Sequence, residues 1–419
     1  MINDIKLSIR EVIDKIKESL NTSIDNRRNG KYTYIIGNNG TGKSKILGEL
    51  AETLKSVDSK RITACISSTI HDRFTYSEHE KVIYMGARNS SNAVFLSAID
   101  RQLAKFILQA MEIDRRSLKK LVAVLNMSIS FIFGEKTIET ILTPPDKANR
   151  DTERVIKRAS DLGLLSKQKI NTLKRIIAGN GRFEELTKAQ VSTLLSYLDL
   201  NIDFTIRIEL SGGQSINFQD LSSGEQNRFL IFAKILSVMK NGTIYLIDEP
   251  EVSLHLHWQM EFHNNVDKLL SDIKNFHVIV ATHSPTIISE AVKHDSKSLE
   301  NTVAVLQRKN EISDIKKTIL INDKSVACKI HSFAEVASHD QLVLRYFQTS
   351  PYKTREVSVE IADVVLGMAE GEKAKNDALN ILNELRAAIG LSSEAKKQID
   401  AALALVENDL INSLKINGE

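Results

Sequence analysis

The stretch GNNGTGKS, at residues 37–44, constrains the fold of this chain more than any other feature of its 419 residues. The apolar run YTYII (32–36) precedes it and predicts a buried strand, and the amphipathic run KSKILGELAETL predicts a helix directly after it. Two further runs with strand character, RITACIS from Arg61 and KVIYMG from Lys81, come next. Strand, glycine-rich turn, helix and strand form a βαβ unit, which predicts a parallel sheet with helices packed on it.

The glycine-rich turn has the residue pattern of a phosphate-binding loop. Its glycines let the backbone curl so that successive N–H groups point at phosphate oxygens, next to the positive end of the following helix. In the pattern GxxxxGK[ST], we expect the Lys43 ammonium to reach the β- and γ-phosphates and the Ser44 hydroxyl to bind Mg²⁺. The predicted nucleotide-binding residues of this loop are Gly37, Asn38, Asn39, Gly40, Thr41, Gly42, Lys43 and Ser44.

Two later strands end in residues suited to metal binding and proton transfer. The run TIYLID ends at Asp248, where a carboxylate can hold Mg²⁺, and Glu249 follows, where it can accept a proton from an attacking water. His283 follows the run HVIVAT, and we expect it at the same edge of the sheet. We therefore predict Ser44 and Asp248 as metal ligands, and Glu249 and His283 as catalytic residues.

The remaining segments divide the chain into four predicted regions. From about Ser97 to Leu198 the pattern is helical and more basic, while FTIRIELSGGQSINF (204–218) alternates around a glycine turn and predicts a β-hairpin. Apolar residues from Ile399 to Leu414, spaced by three or four, predict a helical packing face. We predict a first lobe with the phosphate-binding loop at 1–96, a helical insertion at 97–200, a second lobe at 201–310 and a mostly helical region at 311–419.

Composition narrows the classes of function. The formal net charge of +3 is small for this length, so contact with nucleic acid or an anionic membrane requires a local patch. The two cysteines, Cys65 and Cys328, indicate neither a disulfide framework nor a zinc site. The N-terminal segment has no continuous apolar core, and no window reaches transmembrane length. We therefore predict a cytoplasmic protein with no membrane partner.

Four motifs in order carry a resemblance to a known family: GNNGTGKS, LSSGEQ, YLIDEPEVSLH and VIVATHSP, which together span residues 32–285. They resemble the ATP-binding-cassette (ABC) ATPases, specifically the soluble branch that includes Rad50, SMC, RecF and the OLD-type ATPases. The resemblance implies an α/β fold with a P-loop NTPase core and an ABC-type ATPase head, ATP and Mg²⁺ as cofactors, and hydrolysis of ATP to ADP and phosphate. It also implies that Glu249 is the catalytic base and that His283 is a switch histidine sensing the γ-phosphate.

The same resemblance gives a role to the second serine-glycine turn. In that family the LSxGE element is the signature motif, and it completes the active site of the neighbouring protomer. The predicted signature residues are Ser222, Ser223, Gly224 and Glu225. The Ser222 hydroxyl and the next backbone N–H groups would form a second anion site at a helix N-terminus. The resemblance therefore implies a head-to-tail homo-oligomer in which two protomers share each ATP site. Residues 251–255 match the family's D-loop, which crosses the interface between the protomers.

Several members of the family remain as alternatives. Glu225 stands where transporter subunits usually have glutamine, and the insertion is too short and too broken by Pro144–Pro145 for a long coiled coil. Only about fifty residues follow the acidic segment at Met368, which disfavours a C-terminal nuclease module. The chain resembles the ATPase components of anti-phage systems such as PARIS and Septu. That implies a separately encoded effector, such as a nuclease, and a phage trigger protein.

Two features of the insertion are open at the level of sequence. The expected glutamine that couples it to Mg²⁺ is not recognisable, and Asn89 is the positional candidate after the Lys81 strand. Residues 144–190 are rich in lysine and arginine, which suits a solvated helical surface, DNA or an acidic protein. The alternative function is therefore a DNA-repair or DNA-end-binding ATPase.

Overall fold

The computed structural model describes most of the chain. The described residues are 9–21, 30–38, 40–56, 61–75, 79–86, 99–133, 150–179, 182–198, 204–210, 213–308, 326–336, 354–387, 391 and 393–407. Among the residues named above, Asn39, Asn89, Ser97, Pro144–Pro145 and Leu414 lie outside these ranges.

The chain forms two compact units. The first unit comprises Met1–Val12, Tyr34–Lys43 and Thr282–Glu419, and the second comprises Ile13–Thr33 and Ser44–Ala281. The division passes through helix α1 (Ile9–Asn21), strand β1 (Gly30–Gly37) and strand β8 (Phe276–Thr282). It also separates Lys43 from Ser44, the last two residues of the glycine-rich motif.

The second unit is built on parallel strands. These are β2 (Thr63–Ser67), β3 (Val82–Met85), β7 (Ile244–Asp248) and β8, in the order β8-β7-β2-β3, with the first half of β1 beside β8. Ser67 lies opposite Asp248, and Asp248 lies opposite Ala281. The carboxyl ends of β2, β7 and β8 therefore finish at one edge, as the βαβ prediction requires.

A smaller antiparallel sheet also belongs to the second unit. It consists of β4 (Met127–Phe133), β5 (Phe204–Leu210) and β6 (Ser215–Asn217), in that order. The pairing of β5 with β6 confirms the predicted hairpin. Strand β4 was not predicted, because we took the region after Ser97 as helical. It pairs residue by residue with β5, from Met127 opposite Leu210 to Phe133 opposite Phe204.

Helices cover the strands of the second unit. Apart from the end of α1, these helices are α2 (Lys43–Ser56), α3 (Ile99–Ile113), α4 (Arg116–Leu125), α5 (Arg150–Asp161), α6 (Lys167–Ala178), α7 (Lys188–Leu198), α8 (Ser223–Ser237) and α9 (Leu256–Leu270). Helix α3 packs against α7 and α8, and α4 packs against α9. Helix α8 is buried from Phe229 to its end, so it is a central element of the unit.

The first unit combines strands with helices. It contains the second half of β1, then β9 (Thr302–Arg308) and β10 (Val326–Ser332), which pair antiparallel in the order β10-β9-β1. Its helices are α10 (Pro285–His294), α11 (Thr354–Ala369), α12 (Lys375–Arg386) and α13 (Ser393–Glu407). Strand β10 lies in a region that we predicted to be mostly helical, and the last three helices agree with that prediction.

The predicted apolar stripe near the C-terminus packs within the chain. Ile399, Leu403 and Val406 lie on α13 and belong to one buried cluster with residues of α11 and α12. The described part of the stripe is therefore an internal packing face. In the described part of the chain, every helix is too short or too polar to cross a membrane.

Candidate functional site

The glycine-rich loop joins β1 to α2 with a left-handed backbone at two positions. Gly40 has φ 75° and Gly42 has φ 94°, values at which other residues are strained. Thr41 is buried and ties the turn together, because its backbone N–H and its hydroxyl both donate to the Asn38 carbonyl, at 3.2 and 2.8 Å. The loop therefore has the curled backbone that the phosphate-binding prediction requires.

Lys43 is the focus of the hydrogen bonds in this loop. Its side chain is only 4 % exposed. The Nζ atom donates to the Gly37 carbonyl at 2.7 Å, to the Asn38 carbonyl at 3.3 Å and to His283 Nδ1 at 3.0 Å. An ammonium only donates, so His283 accepts through Nδ1 in this contact. Two predicted site residues, Lys43 and His283, therefore lie together in the first unit.

Ser44 and Asp248 form the second pair of predicted site residues, within the second unit. The Ser44 hydroxyl donates to Asp248 Oδ1 at 3.0 Å. Burial raises the pKa of Asp248 to about 7, the Ser44 bond opposes that shift, and nearby Glu249 adds to it. A buried carboxylate next to a hydroxyl offers the hard oxygen ligands that Mg²⁺ prefers, and a cation would relieve the cost of the buried charge. These residues fit the predicted metal site.

Glu249 has an unusual backbone conformation for its type. Its φ is 48°, in the left-handed region, and its N–H donates to the Ala281 carbonyl at 2.8 Å. A non-glycine residue in this region costs about 1–3 kcal/mol, and such residues cluster at functional sites. The strand bond to Ala281 holds the residue at the carboxyl edge beside Asp248, where the prediction of a catalytic base places it.

The signature turn is a complete helix cap within its own chain. Ser222 is the N-cap of α8, and its hydroxyl accepts from the Glu225 N–H at 3.4 Å. In return, Glu225 Oε2 accepts from the Ser222 N–H at 3.0 Å and from the Ser222 hydroxyl at 2.7 Å. Ser222 and Ser223 are exposed. The predicted anion site is thus a helix N-terminus that already holds a carboxylate.

Gly224 serves close packing rather than a special backbone angle. A Cβ atom at this position would lie 2.3 Å from the Ser253 carbonyl oxygen and 3.2 Å from the Trp258 ring. The first turn of α8 therefore packs directly on residues 251–255, the predicted D-loop. Ser253 itself has φ 64°, so this segment contains a second left-handed residue after Glu249.

Three residues at the same edge were missed by the sequence analysis. Ser67, at the end of β2, is the sheet neighbour of Asp248, whereas the sequence had offered Asn89, after the Lys81 strand, as the residue that couples the insertion to Mg²⁺. Ser68 donates to Asn227 Oδ1, and Asn227 Nδ2 donates to the Val252 carbonyl at 2.7 Å. Strand order is not encoded in the motif pattern, so no signal in the sequence marked this pairing.

Lys234 was also missed, because it lies in an otherwise apolar helix. Its side chain is 3 % exposed, and Nζ donates to the Ser67 carbonyl at 3.1 Å. Burial lowers the pKa of Lys234 to about 8, and Asp72 opposes the shift. This lysine ties the middle of α8 to the end of β2.

The depressed pKa of Lys234 predicts a dependence of stability on pH. Between pH 8 and 10.5 the unfolded chain keeps the proton and the folded chain loses it, so the free energy of unfolding rises with pH. At 1.36 kcal/mol per pKa unit, the rise is up to about 3 kcal/mol. We expect urea unfolding at pH 7.5, 9 and 10 to show this rise in the wild type but not in Lys234→Met. Equal slopes for the two proteins would contradict the buried charge.

Many basic side chains of α5 and α6 lie on the surface. The exposed basic side chains of α5 and α6 are those of Arg154, Lys157, Arg158, Lys167, Lys174 and Arg175. Arg182, after α6, lies 3.9 Å from both Glu185 and Glu209. Whether residues 144–190 form a solvated surface or bind DNA or an acidic protein stays a prediction.

Comparison with known proteins supports the ATPase assignment. Residues 134–288 match the family model described as "AAA ATPase domain". The matched range contains Ser222–Glu225, Asp248–Glu249 and His283, and it begins after the glycine-rich loop. No curated protein matches the chain.

Three solved structures illustrate the similarity at low identity. An inward-facing metal-chelate type ABC transporter is 15% identical, with 77% of this chain and 81% of that chain covered and a TM-score of 0.30. The Smc head domain of Pyrococcus furiosus, bound to the C-terminal domain of ScpA, is 11% identical, with coverage of 73% and 91% and a TM-score of 0.29. An ATP-binding cassette of an ABC transporter, in its ADP conformation, is 11% identical, with coverage of 62% and 74% and a TM-score of 0.24.

The family match and the geometry together support an ATPase domain. The predicted α/β fold class with a P-loop NTPase core is confirmed. The residues that we predicted as the signature, the metal carboxylate and the switch histidine lie inside the range that matches the ATPase domain model.

Proposed function

We propose that this protein is an ATP-binding and ATP-hydrolysing switch whose active sites are shared between two copies of the chain. In each site, Lys43 and the loop N–H groups of one copy bind the phosphates, and Ser44 with Asp248 holds Mg²⁺. Glu249 orients or deprotonates the attacking water, and His283 contacts the γ-phosphate. The other copy contributes the exposed turn Ser222–Glu225.

The observation that carries the proposal is the exposed, fully capped N-terminus of α8. Ser222 and Ser223 face solvent at the start of a buried helix, on a chain that already has a glycine-rich phosphate loop. Two phosphate-binding turns in one chain are explained when each turn serves a different copy. Ser44 and Asp248 would hold Mg²⁺, and that ion would stabilise the charge that develops on the phosphates during hydrolysis.

The finer role that we propose is control of a separate effector in anti-phage defence. ATP holds the copies together, and hydrolysis or a phage trigger protein releases them or a bound effector, such as a nuclease. We assign the effector chemistry to a second protein because of the resemblance to the ATPase components of anti-phage systems. Strong stimulation of the ATPase by duplex DNA would instead favour the DNA-repair function.

Mixing two inactive variants tests whether the sites are shared. Ser222→Arg and Lys43→Ala are each expected to be inactive alone, since every site in either homo-oligomer carries one lesion. In a mixed head-to-tail pair, one site carries both lesions and the other carries neither. Random pairing restores about a quarter of the wild-type ATPase rate, since half of the pairs are mixed and each has one intact site. Phosphate release measures this rate.

The mixing experiment has a matched control. A mixture of Ser222→Arg with a second preparation of the same variant should remain inactive at every ratio. Absence of activity in all mixtures of the two different variants would contradict shared sites. Activity of Ser222→Arg alone at the wild-type rate would remove the signature turn from the reaction.

A further inference from the structure

The side chain of Asn227 connects three elements of the second unit. Asn227 lies on α8, five residues after the helix cap at Ser222. Its Oδ1 atom accepts from the Ser68 hydroxyl in the turn after β2, and its Nδ2 atom donates to the Val252 carbonyl at 2.7 Å. The carbonyl only accepts, so the orientation of the amide is fixed by its partner. One side chain therefore bridges the turn after β2 and the segment after Glu249.

One end of this bridge lies next to the sheet neighbour of the predicted metal carboxylate. Ser68 follows Ser67, which is the sheet neighbour of Asp248. Helix α8 makes a second contact here, because Lys234 Nζ, further along the helix, donates to the Ser67 carbonyl at 3.1 Å. The signature helix is thus hydrogen-bonded both to the end of β2 and to the turn that follows it.

The other end of the bridge lies next to the predicted catalytic base. The Val252 N–H donates to the Glu249 carbonyl at 3.3 Å, so Val252 and Glu249 belong to one turn. Both Glu249 and Ser253 have positive φ, at 48° and 64°. Residues in this region persist only where their surroundings hold them. The bond from Asn227 to Val252 lies between these two positions and is one of the contacts that fix the turn.

We propose that Asn227 is a positioning residue that transmits the state of the signature turn to Glu249. Engagement of Ser222–Glu225 by a nucleotide on a second copy moves or holds the first turn of α8, and Asn227 carries that restraint to the 249–253 turn. The inference rests on the shared-site ATPase function proposed above. It assigns to an amide on the signature helix the coupling that we had expected from a residue after β3, such as Asn89.

The substitution Asn227→Asp removes the hydrogen bond to Val252 and keeps the one from Ser68. The carboxylate keeps an oxygen for the Ser68 hydroxyl and has nearly the same volume, but it replaces the N–H donor with an acceptor facing the Val252 carbonyl. We expect kcat for ATP to fall by about tenfold or more, which corresponds to about 1.4 kcal/mol in the barrier. The KM for ATP should stay unchanged, because the phosphate-binding loop is intact.

The control is Asn383→Asp on α12. Asn383 Nδ2 donates to the Leu379 carbonyl at 2.9 Å, so this variant loses the same kind of bond at an exposed position of a first-unit helix. We expect kcat, KM and the melting temperature of the control to match the wild type. Ser68→Ala, which keeps the Val252 bond and removes the other, is expected to show a smaller loss of kcat than Asn227→Asp.

The outcomes distinguish a positioning role from a structural one. A wild-type kcat in Asn227→Asp overturns the inference, as does a parallel loss of kcat, ATP affinity and melting temperature. If the wild-type chain does not hydrolyse ATP, the proposed function fails. Amide hydrogen exchange then tests whether Asn227 restrains the turn after Glu249. Asn227→Asp should speed amide exchange in residues 251–255, and unchanged exchange there overturns the inference independently of turnover.

Discussion

Replacement of Glu249 by glutamine is expected to lower kcat for ATP hydrolysis by about 10²–10⁴-fold, the usual contribution of a general base. Glutamine keeps the size of the side chain and the backbone bond to Ala281, but it cannot take a proton from water. ATP binding should be retained, since Lys43 and the loop are unchanged. The trapped nucleotide is therefore expected to hold the copies together, which size-exclusion chromatography with ATP and Mg²⁺ measures.

The control for this substitution is Glu290→Gln. Glu290 lies on α10 and forms an ion pair with Lys293 at 2.7 Å. Such a surface pair contributes little to stability, so this variant should hydrolyse ATP like the wild type. Hydrolysis by Glu249→Gln at the wild-type rate would show that the catalytic base is elsewhere. A loss of ATP affinity in Glu249→Gln would indicate a role in binding instead.

Replacement of Lys43 by alanine is expected to abolish ATP binding. Hydrogen bonds to charged groups contribute about 1.5–3 kcal/mol each, so the loss of two phosphate contacts weakens ATP by about 10²–10⁴-fold. The substitution also removes the bonds to the Gly37 and Asn38 carbonyls. Titration with a fluorescent ATP analogue measures the affinity, and a melting curve checks that the loop substitution leaves the fold intact.

Lys45→Ala is the matched control for this second substitution. Lys45 is two residues further along α2, is 44% exposed and lies 3.6 Å from Glu49. Its removal deletes the same charge from the same helix without touching the loop. We expect ATP affinity within about twofold of the wild type, because an exposed ion pair is worth under 1 kcal/mol. Equal affinity of Lys43→Ala and wild type would refute the phosphate-binding assignment.

The sequence predicted the parts of this protein that depend on local pattern. The loop at 37–44 and the strands ending at Asp248 and Thr282 have strong local signals, and they form where we expected them. The pairs Lys43–His283 and Ser44–Asp248 follow from motifs whose spacing is set by chemistry. These features depend on glycine conformations and apolar β-branched runs, which a single segment can display.

The parts that were missed depend on pairing across the chain. Strand β4 looked helical in isolation, and its partner β5 begins more than seventy residues later. The neighbour of β7 is β2, which places Ser67 opposite Asp248 at the edge of the sheet. Tertiary packing decides which strands become neighbours, and the hydrophobic periodicity within a strand is the same whichever strand lies beside it.

The capping hydrogen bonds at the start of α8 limit which anions can bind this turn. A helix end that carries its own carboxylate repels free phosphate, because Glu225 already satisfies the Ser222 N–H. Only an anion whose charge is partly neutralised, and which is delivered in a fixed position, competes with Glu225 for these donors. Under the proposed shared-site function, we therefore expect this turn to bind metal-bound ATP held on a second copy of the chain and not free phosphate.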